Sequence, residues 1–120
     1  MALNVLGTEL QICSQNPVTG FYRNGCCDTG PEDRGLHTVC ALMSAEFLEF
    51  SRRMGNDLST PAPHFGFPGL KANDRWCLCM LRWLEALEHN MAPQVYLAGT
   101  HISVIEHIDM ETLRQYALDA

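Results

Sequence analysis

The sequence predicts an α+β fold: one compact domain with short strands, about three to four helices and two long ordered loops. A chain of 120 residues is the usual size for a single domain, so residues 1–120 are treated as one unit. An apolar content of 47% and a charged content of 18% are typical of a globule and exclude a disordered chain. Short β-branched apolar runs alternate with amphipathic stretches and with segments rich in glycine and proline, which indicates strands, helices and loops in turn.

The first half of the chain is predicted to contain a buried strand followed by a helix. Residues 3–13 alternate weakly and are typical of one or two short strands. Turn-forming residues run through 14–35, which we expect to be a long loop. Residues 37–43 are β-branched and mostly apolar, so they predict a buried strand. Ser44 is a suitable N-cap for the helix that follows, and Gly55 is placed to end it.

The second half is predicted to contain a long loop, a long helix and shorter elements. Residues 56–73 carry three prolines and several turn residues and should form the second loop. Asp74 is predicted to cap a helix that continues to about residue 90 and is buried through its tryptophans. A strand is expected over 94–98, and a short helix over 100–107 with Thr100 as its cap. Asp109 should cap a last amphipathic helix.

Charge and hydropathy exclude two classes of partner. The net charge of −6 argues against a nucleic-acid surface, which needs a basic face. No apolar run is long enough to cross a bilayer, and the first residues lack the basic start and apolar stretch of an export signal. We therefore expect a soluble, cytoplasmic protein with no nucleic-acid or membrane partner.

The six cysteines are the most unusual feature of the composition, and a cytoplasmic location predicts that all of them are reduced. We expect Cys13, Cys40 and Cys79 to behave as small buried apolar residues, which is the commonest role of free cysteine. A reactive thiol is the alternative. Cys77 would lie in the first turn of the predicted helix beside Arg75, and the neighbouring residues Cys26 and Cys27 lie in a glycine-rich turn with arginines nearby.

A metal site is a further alternative for the cysteines. Its candidate ligands are Cys26, Cys27, His37 and Cys40, which could meet if the first loop folded back on the strand. Structural zinc sites, however, usually take pairs of cysteines separated by two residues, and this chain has one adjacent pair and one pair separated by a single residue. No metal is therefore favoured.

The two long loops indicate where a site would lie. Loops of more than about 12–15 residues are uncommon unless they are functional or disordered, and aromatic residues in both segments favour packing against the body. The candidate catalytic residues are Cys26, Cys27, Cys77 and Asp33, and the candidate ligand-binding residues are Asp28, Asp33, His64 and Arg75. The positive end of the predicted helix after Asp74 would favour a small anionic ligand. A structural alternative is that the acids near Thr29 only cap a turn.

Several runs of the sequence resemble a known family. They are GCCDTGPED at 25–33, HTVCA at 37–41, GNDLSTP at 55–61, FGFPGLK at 65–71 and DRWCLC at 74–79. Together they make the chain, over 4–119, similar to a family of small bacterial proteins known only as domain of unknown function twenty-two thirty-seven. One departure is Ala72-Asn73, where the family more often has Pro-Gly. The resemblance implies no activity, substrate or cofactor.

Two functional hypotheses from different classes follow. The first is a small-ligand-binding or thiol-based catalytic domain whose site, lined by cysteine, aspartate and histidine, lies between loops 14–35 and 56–73. Its ligand would be a small anionic molecule. The second is a non-catalytic interaction module or homo-oligomeric subunit with structural cysteines, and a metal-binding protein with cysteine and histidine ligands remains a third reading.

Overall fold

The computed structural model describes residues 2–120 and confirms the α+β fold. Within this range the regular elements are two strands and three α-helices, joined by long stretches of ordered but irregular chain. In chain order they are β1 (His37–Leu42), α1 (Ala45–Arg53), β2 (Arg75–Cys79), α2 (Met80–Glu88) and α3 (Met110–Gln115). No helix in the described range is long and apolar enough to cross a membrane.

The two strands form a small antiparallel sheet at the centre of the protein. Their regular register places Cys40 opposite Cys77, and it shifts by one residue between Val39 and His37, so that His37 lies opposite Cys79. Helix α2 follows β2 directly and packs against both strands and α1. The core around the sheet is mainly apolar, and its largest buried side chains include Trp83, Phe47, Met43, Leu78 and Leu97.

The predicted helix over 74–90 is wrong in its first part. Residues Arg75–Cys79 form β2, and the helix begins only at Met80. Three consecutive residues of this strand, Trp76 to Leu78, are buried because one face of β2 meets the core and the other is covered by the loops. Pairing with β1 therefore outweighs the helical pattern that the tryptophan spacing suggested.

Two further predicted strands are absent from the described residues. In 94–98 only Val95 is paired, through isolated bridges to Ala41 and Ala117, and a 3₁₀ helix follows at Leu97–Gly99. The opening segment likewise makes single bridges and not a strand. Its shape depends on the fully buried Asn4, whose amide nitrogen donates to Thr8 Oγ1 at 2.9 Å. Side-chain hydrogen bonds here replace a strand ladder.

Two of the four predicted helix caps are confirmed. Ser44 caps α1 by accepting a hydrogen bond from the backbone of Phe47 at 3.1 Å, and Asp109 caps α3. Gly55 follows α1 with a φ of 93°, in the left-handed region that glycine adopts easily. The helix expected over 100–107 is a 3₁₀ helix, Ile102–Glu106, and its cap is His101 and not Thr100.

Both long loops are ordered and are anchored to the sheet. Thr19, fully buried in the first loop, accepts a hydrogen bond from the backbone nitrogen of Cys77 in β2 at 2.8 Å. The second loop contains a short 3₁₀ helix, Pro63–Phe65, and its Phe67 ring contacts Trp76 of β2 edge to face, with ring centroids 5.3 Å apart. The loops therefore meet at β2.

Replacing Thr19 by Val should destabilise the protein by about 1–3 kcal/mol, because the buried nitrogen of Cys77 would lose its acceptor. Urea unfolding of the variant measures this change. Thr112→Val is the matched control, since Thr112 is only partly buried and its hydroxyl makes no hydrogen bond within residues 2–120. Equal unfolding free energies for the two variants would contradict the anchoring role of Thr19.

Candidate functional site

Four of the six cysteines form two disulfides in the middle of the protein, so the prediction of six reduced thiols is wrong. Cys13 is bonded to Cys40, and Cys27 is bonded to Cys77. All four are at most 4% exposed. The sheet register brings Cys40 and Cys77 together, and the first loop and the opening segment each supply a partner. The spacing of the cysteines along the sequence does not indicate which of them form disulfides.

The disulfides remove several residues from the predicted catalytic and metal-binding sites. Cys27 and Cys77 have no free thiol to act as a nucleophile, and Cys27 and Cys40 have no thiolate to offer a metal. The sulfurs of Cys13, Cys27 and Cys77 lie within 4.8 Å of one another, but they could bind a metal only after reduction. Disulfides are commonest in oxidising compartments, so the cytoplasmic location stays a prediction.

Two cysteines, Cys26 and Cys79, remain free and partly exposed. The predicted core position of Cys79 is therefore wrong, whereas Cys13 and Cys40 are buried as expected. Burial and the nearby carboxylate of Asp28 raise the pKa of the Cys26 thiol, which disfavours the thiolate there. Cys26 is thus the less reactive kind of free cysteine.

The two long loops meet around a cavity of about 540 Å³. Its walls are mainly aromatic and apolar, with few polar atoms. The lining comes from the first loop (Gly20, Phe21, Arg23), the second loop (Leu58, Ala62, Phe65, Phe67) and the sheet (His37, Trp76, Cys77). Cavities of this size and character are typical of small-molecule sites.

A histidine and a buried aspartate stand at this cavity as a pair. His37 Nδ1 lies 2.7 Å from Asp33 Oδ1, and the backbone nitrogen of His37 donates to Asp33 Oδ2 at 3.0 Å. Thr29 Oγ1 donates to the same carboxylate, also at 3.0 Å. The side chain of Asp33 is 0% exposed while that of His37 is 40% exposed. The aspartate therefore fixes the ring, and the ring faces the cavity.

The hydrogen bonds at Asp33 keep its carboxyl group ionised. Burial alone would raise the pKa of Asp33, but the hydrogen bonds from His37 and Thr29 outweigh it and hold the pKa below its usual value. A buried carboxylate is stable only when its oxygens are paired in this way. The His37–Asp33 pair thus carries a negative charge on its buried member.

Arg23 supplies a positive charge at the same cavity. Its guanidinium lies over the ring of Trp76, 5.2 Å from the centroid, and Nη1 donates to the carbonyl of Gly20 at 2.7 Å. Among residues 2–120 no carboxylate lies within ion-pair distance of Arg23. Its remaining donors are therefore available to a ligand.

A smaller cavity of about 230 Å³ adjoins the first, because His37, Leu58 and Trp76 line both. Cys79 and Arg82 also line it. The free thiol of Cys79 therefore shares a cavity with His37, its partner across the sheet. This pairing follows a shift of one residue in the register between Val39 and His37, so the alternation of side chains along 75–79 does not predict it.

The structure brings together only some of the predicted site residues. Asp33 lies beside the cavity, but its carboxylate is buried behind His37. Asp28 lies 3.6 Å from His101, His64 is exposed on the second loop, and Arg75 stacks on Tyr96 at 4.4 Å. None of these three, nor Cys26, lines the cavity. The predicted helix end beside them is also absent, since 75–79 is a strand.

Comparison with known proteins gives a family without an activity. A family described as an uncharacterised protein conserved in bacteria, DUF2237, matches residues 3–117. No curated protein matches the chain.

Protein that has not been reduced should contain two titratable thiols after denaturation, Cys26 and Cys79. Removing the Cys27–Cys77 bond with a double alanine variant should lower the free energy of unfolding by about 3–4 kcal/mol, because the bond closes a long loop. Thiol titration and urea unfolding measure the two effects. Cys26→Ala is the control and should unfold close to the wild type. Six titratable thiols would contradict the pairing.

Acid should destabilise the native protein through Asp33. Because its folded pKa lies below its unfolded pKa, the carboxylate contributes stability above the unfolded value of about 4, and this is lost as the pH falls through the folded value. Asp33→Asn should therefore lose less stability than the wild type between about pH 5 and about pH 2. Urea unfolding at several pH values measures this. Glu32 is an exposed neighbour, so Glu32→Gln should lose as much stability in acid as the wild type does. An equal loss in Asp33→Asn would show that Asp33 does not cause the acid sensitivity.

Proposed function

The chain belongs to the DUF2237 family of uncharacterised bacterial proteins, a membership that brings no activity with it, and we propose its function from the geometry. We propose that it binds a small carboxylate with an apolar, preferably aromatic, body in the cavity between loops 14–35 and 56–73. The observation that carries the proposal is an arginine without an acidic partner, Arg23, in a cavity that is otherwise apolar and aromatic.

The aromatic walls support an apolar body for the ligand. Phe67 and Trp76 contact each other edge to face with ring centroids 5.3 Å apart, and Phe21 stacks on the ring of His37. Phe65 is 81% exposed, although it lines the cavity. A ligand of similar character would remove much of this apolar surface from water, at about 25 cal/mol per Å².

The charges support an anionic group on the ligand. The contact with Trp76 and the hydrogen bond to the carbonyl of Gly20 hold the Arg23 guanidinium at the cavity, so its remaining donors can bind the oxygens of a carboxylate. The imidazole of His37 adds a second polar contact on another wall. These are the few polar groups that typically orient a ligand in an apolar pocket.

Phenylacetate is the simplest probe of this chemistry, and calorimetry should detect its binding to the wild type. Arg23→Gln should weaken binding by roughly 10–100-fold, because a hydrogen bond to a charged group contributes about 1.5–3 kcal/mol. Arg34→Gln is the matched control, since Arg34 is exposed in the same loop and lies outside the cavity. Fluorescence of the Trp83→Phe variant, in which Trp76 is the remaining tryptophan, should report the same binding.

The uncharged amide phenylacetamide separates the two parts of the proposal. It should bind more weakly than phenylacetate to the wild type and about equally to Arg23→Gln. Equal affinity of the wild type for the acid and the amide would show that Arg23 does not recognise the charge. The absence of binding by either compound would refute the cavity as a site for this class of ligand.

A further inference from the structure

Cys79 lies where a catalytic thiol would need to be. It ends β2, pairs across the sheet with His37, and lines the smaller cavity together with that histidine. The sheet register shifts by one residue between His37 and Val39, so Cys79 meets His37 at an irregularity of the sheet, and such irregularities commonly redirect a side chain beside an active site. Cys79 is partly exposed, is outside both disulfides and is one of the residues that line the smaller cavity.

The hydrogen bond to the Asp33 carboxylate decides which ring nitrogen of neutral His37 carries the proton, because a carboxylate can only accept. With Nδ1 donating to the carboxylate, the neutral ring presents Nε2 as the acceptor. Asp33 is ionised and has a fixed position, because Thr29 and the backbone of His37 also hold it. Catalytic thiols and hydroxyls are commonly activated by a neighbouring general base, and a third group holds that base in its orientation.

The N-terminus of helix α2 lies at Cys79. Cys79 is its N-cap residue, and no side chain caps its first turn. The helix has nine residues, and its N-terminal end favours negative charge. A thiolate on Cys79 would lie at this end, where the first backbone nitrogen of the helix, that of Met80, already donates to the carbonyl of Leu36 at 2.9 Å.

We propose that Cys79 is the nucleophile of an acyl-transfer centre, with His37 as its general base and Asp33 as a positioning residue. The proposal rests on the proposed function and names its substrate: an ester or thioester of the small apolar acid that the larger cavity binds. Because His37, Leu58 and Trp76 line both cavities, the acyl body can occupy the larger one while the carbonyl carbon faces Cys79.

The reaction divides into two balanced steps. In the first, His37 Nε2 takes the proton of Cys79, the sulfur bonds to the carbonyl carbon, and the bond to the leaving alcohol or thiol breaks. His37 returns its proton to that leaving group. In the second, His37 takes a proton from water, the resulting hydroxide attacks the thioester, the carbon–sulfur bond breaks, and His37 returns the proton to the sulfur of Cys79. The net reaction is hydrolysis, and the released carboxylate is the proposed ligand.

Cys26 provides an internal control for the reactivity of Cys79. It is the other free thiol of the chain and is also partly exposed, but its neighbour is the carboxylate of Asp28 and it lines neither cavity. Iodoacetamide at neutral pH, followed by peptide mass mapping, should label Cys79 about tenfold faster than Cys26.

Variants of the other two residues test their roles. His37→Gln and Asp33→Asn should each slow the labelling of Cys79 and leave the rate at Cys26 unchanged. If either substitution merely loosened the structure, both cysteines would react faster, so the direction of change separates positioning from folding. Equal rates at Cys79 and Cys26 in the wild type would overturn the proposal.

The acyl step is tested with p-nitrophenyl phenylacetate. The wild type should release a burst of p-nitrophenol and carry one phenylacetyl group on Cys79 by mass spectrometry. Cys79→Ser should lose the burst, and the matched variant Cys26→Ser should retain it. A burst that survives in Cys79→Ser, or an acyl group found on Cys26, would overturn the assignment of the nucleophile.

Binding of phenylacetate to Cys79→Ser separates this inference from the proposed function. If that variant binds the acid but the wild type is not acylated, the cavity is a binding site and Cys79 is not a nucleophile. If neither protein binds the acid, the proposed function itself fails.

Discussion

The antiparallel pairing of β1 with β2 is the interaction on which the rest of the structure depends. Its register sets Cys40 opposite Cys77, and the two disulfides that join the first loop and the opening segment to the sheet start from these two residues. The register then shifts by one residue between Val39 and His37, and this irregularity sets His37 opposite Cys79. A slip of one residue would turn Cys40 and Cys77 to the other face, so the regular pairing decides the covalent core, and the irregularity beside it decides which residue meets Cys79.

Asp33 connects the stability of the first loop to the chemistry of the site. Burying a carboxylate is costly, and the cost is offset here by hydrogen bonds from Thr29 and from the side chain and backbone of His37. Those bonds hold the end of the loop against the start of β1. They also fix the ring of His37 at the point where the two cavities meet. One charged group therefore orders the loop and orients the histidine.

Long loops take the place of a larger sheet in this protein. They are held by buried polar contacts, such as Thr19 with the backbone of Cys77, and by the disulfides, so the protein needs little regular structure to be ordered. Because the loops are fixed at β2 and not packed flush against it, their aromatic residues enclose a cavity beside Trp76. The exposed ring of Phe65 and the unpaired charge of Arg23 are the two features of this cavity that packing alone does not explain.

The sequence by itself determined the fold class, the helix caps at Ser44 and Asp109, and the two loops, because these depend on composition and on contacts between residues close in the chain. It also indicated that a site would lie between the loops. Only the tertiary structure decided that 75–79 is a strand, which cysteines pair, and that Cys79 and Arg23 face the cavities while His64 and Arg75 do not. Each of these depends on a partner tens of residues away. The local pattern around Trp76 is compatible with a helix, and only β1 lying beside it makes the strand more stable.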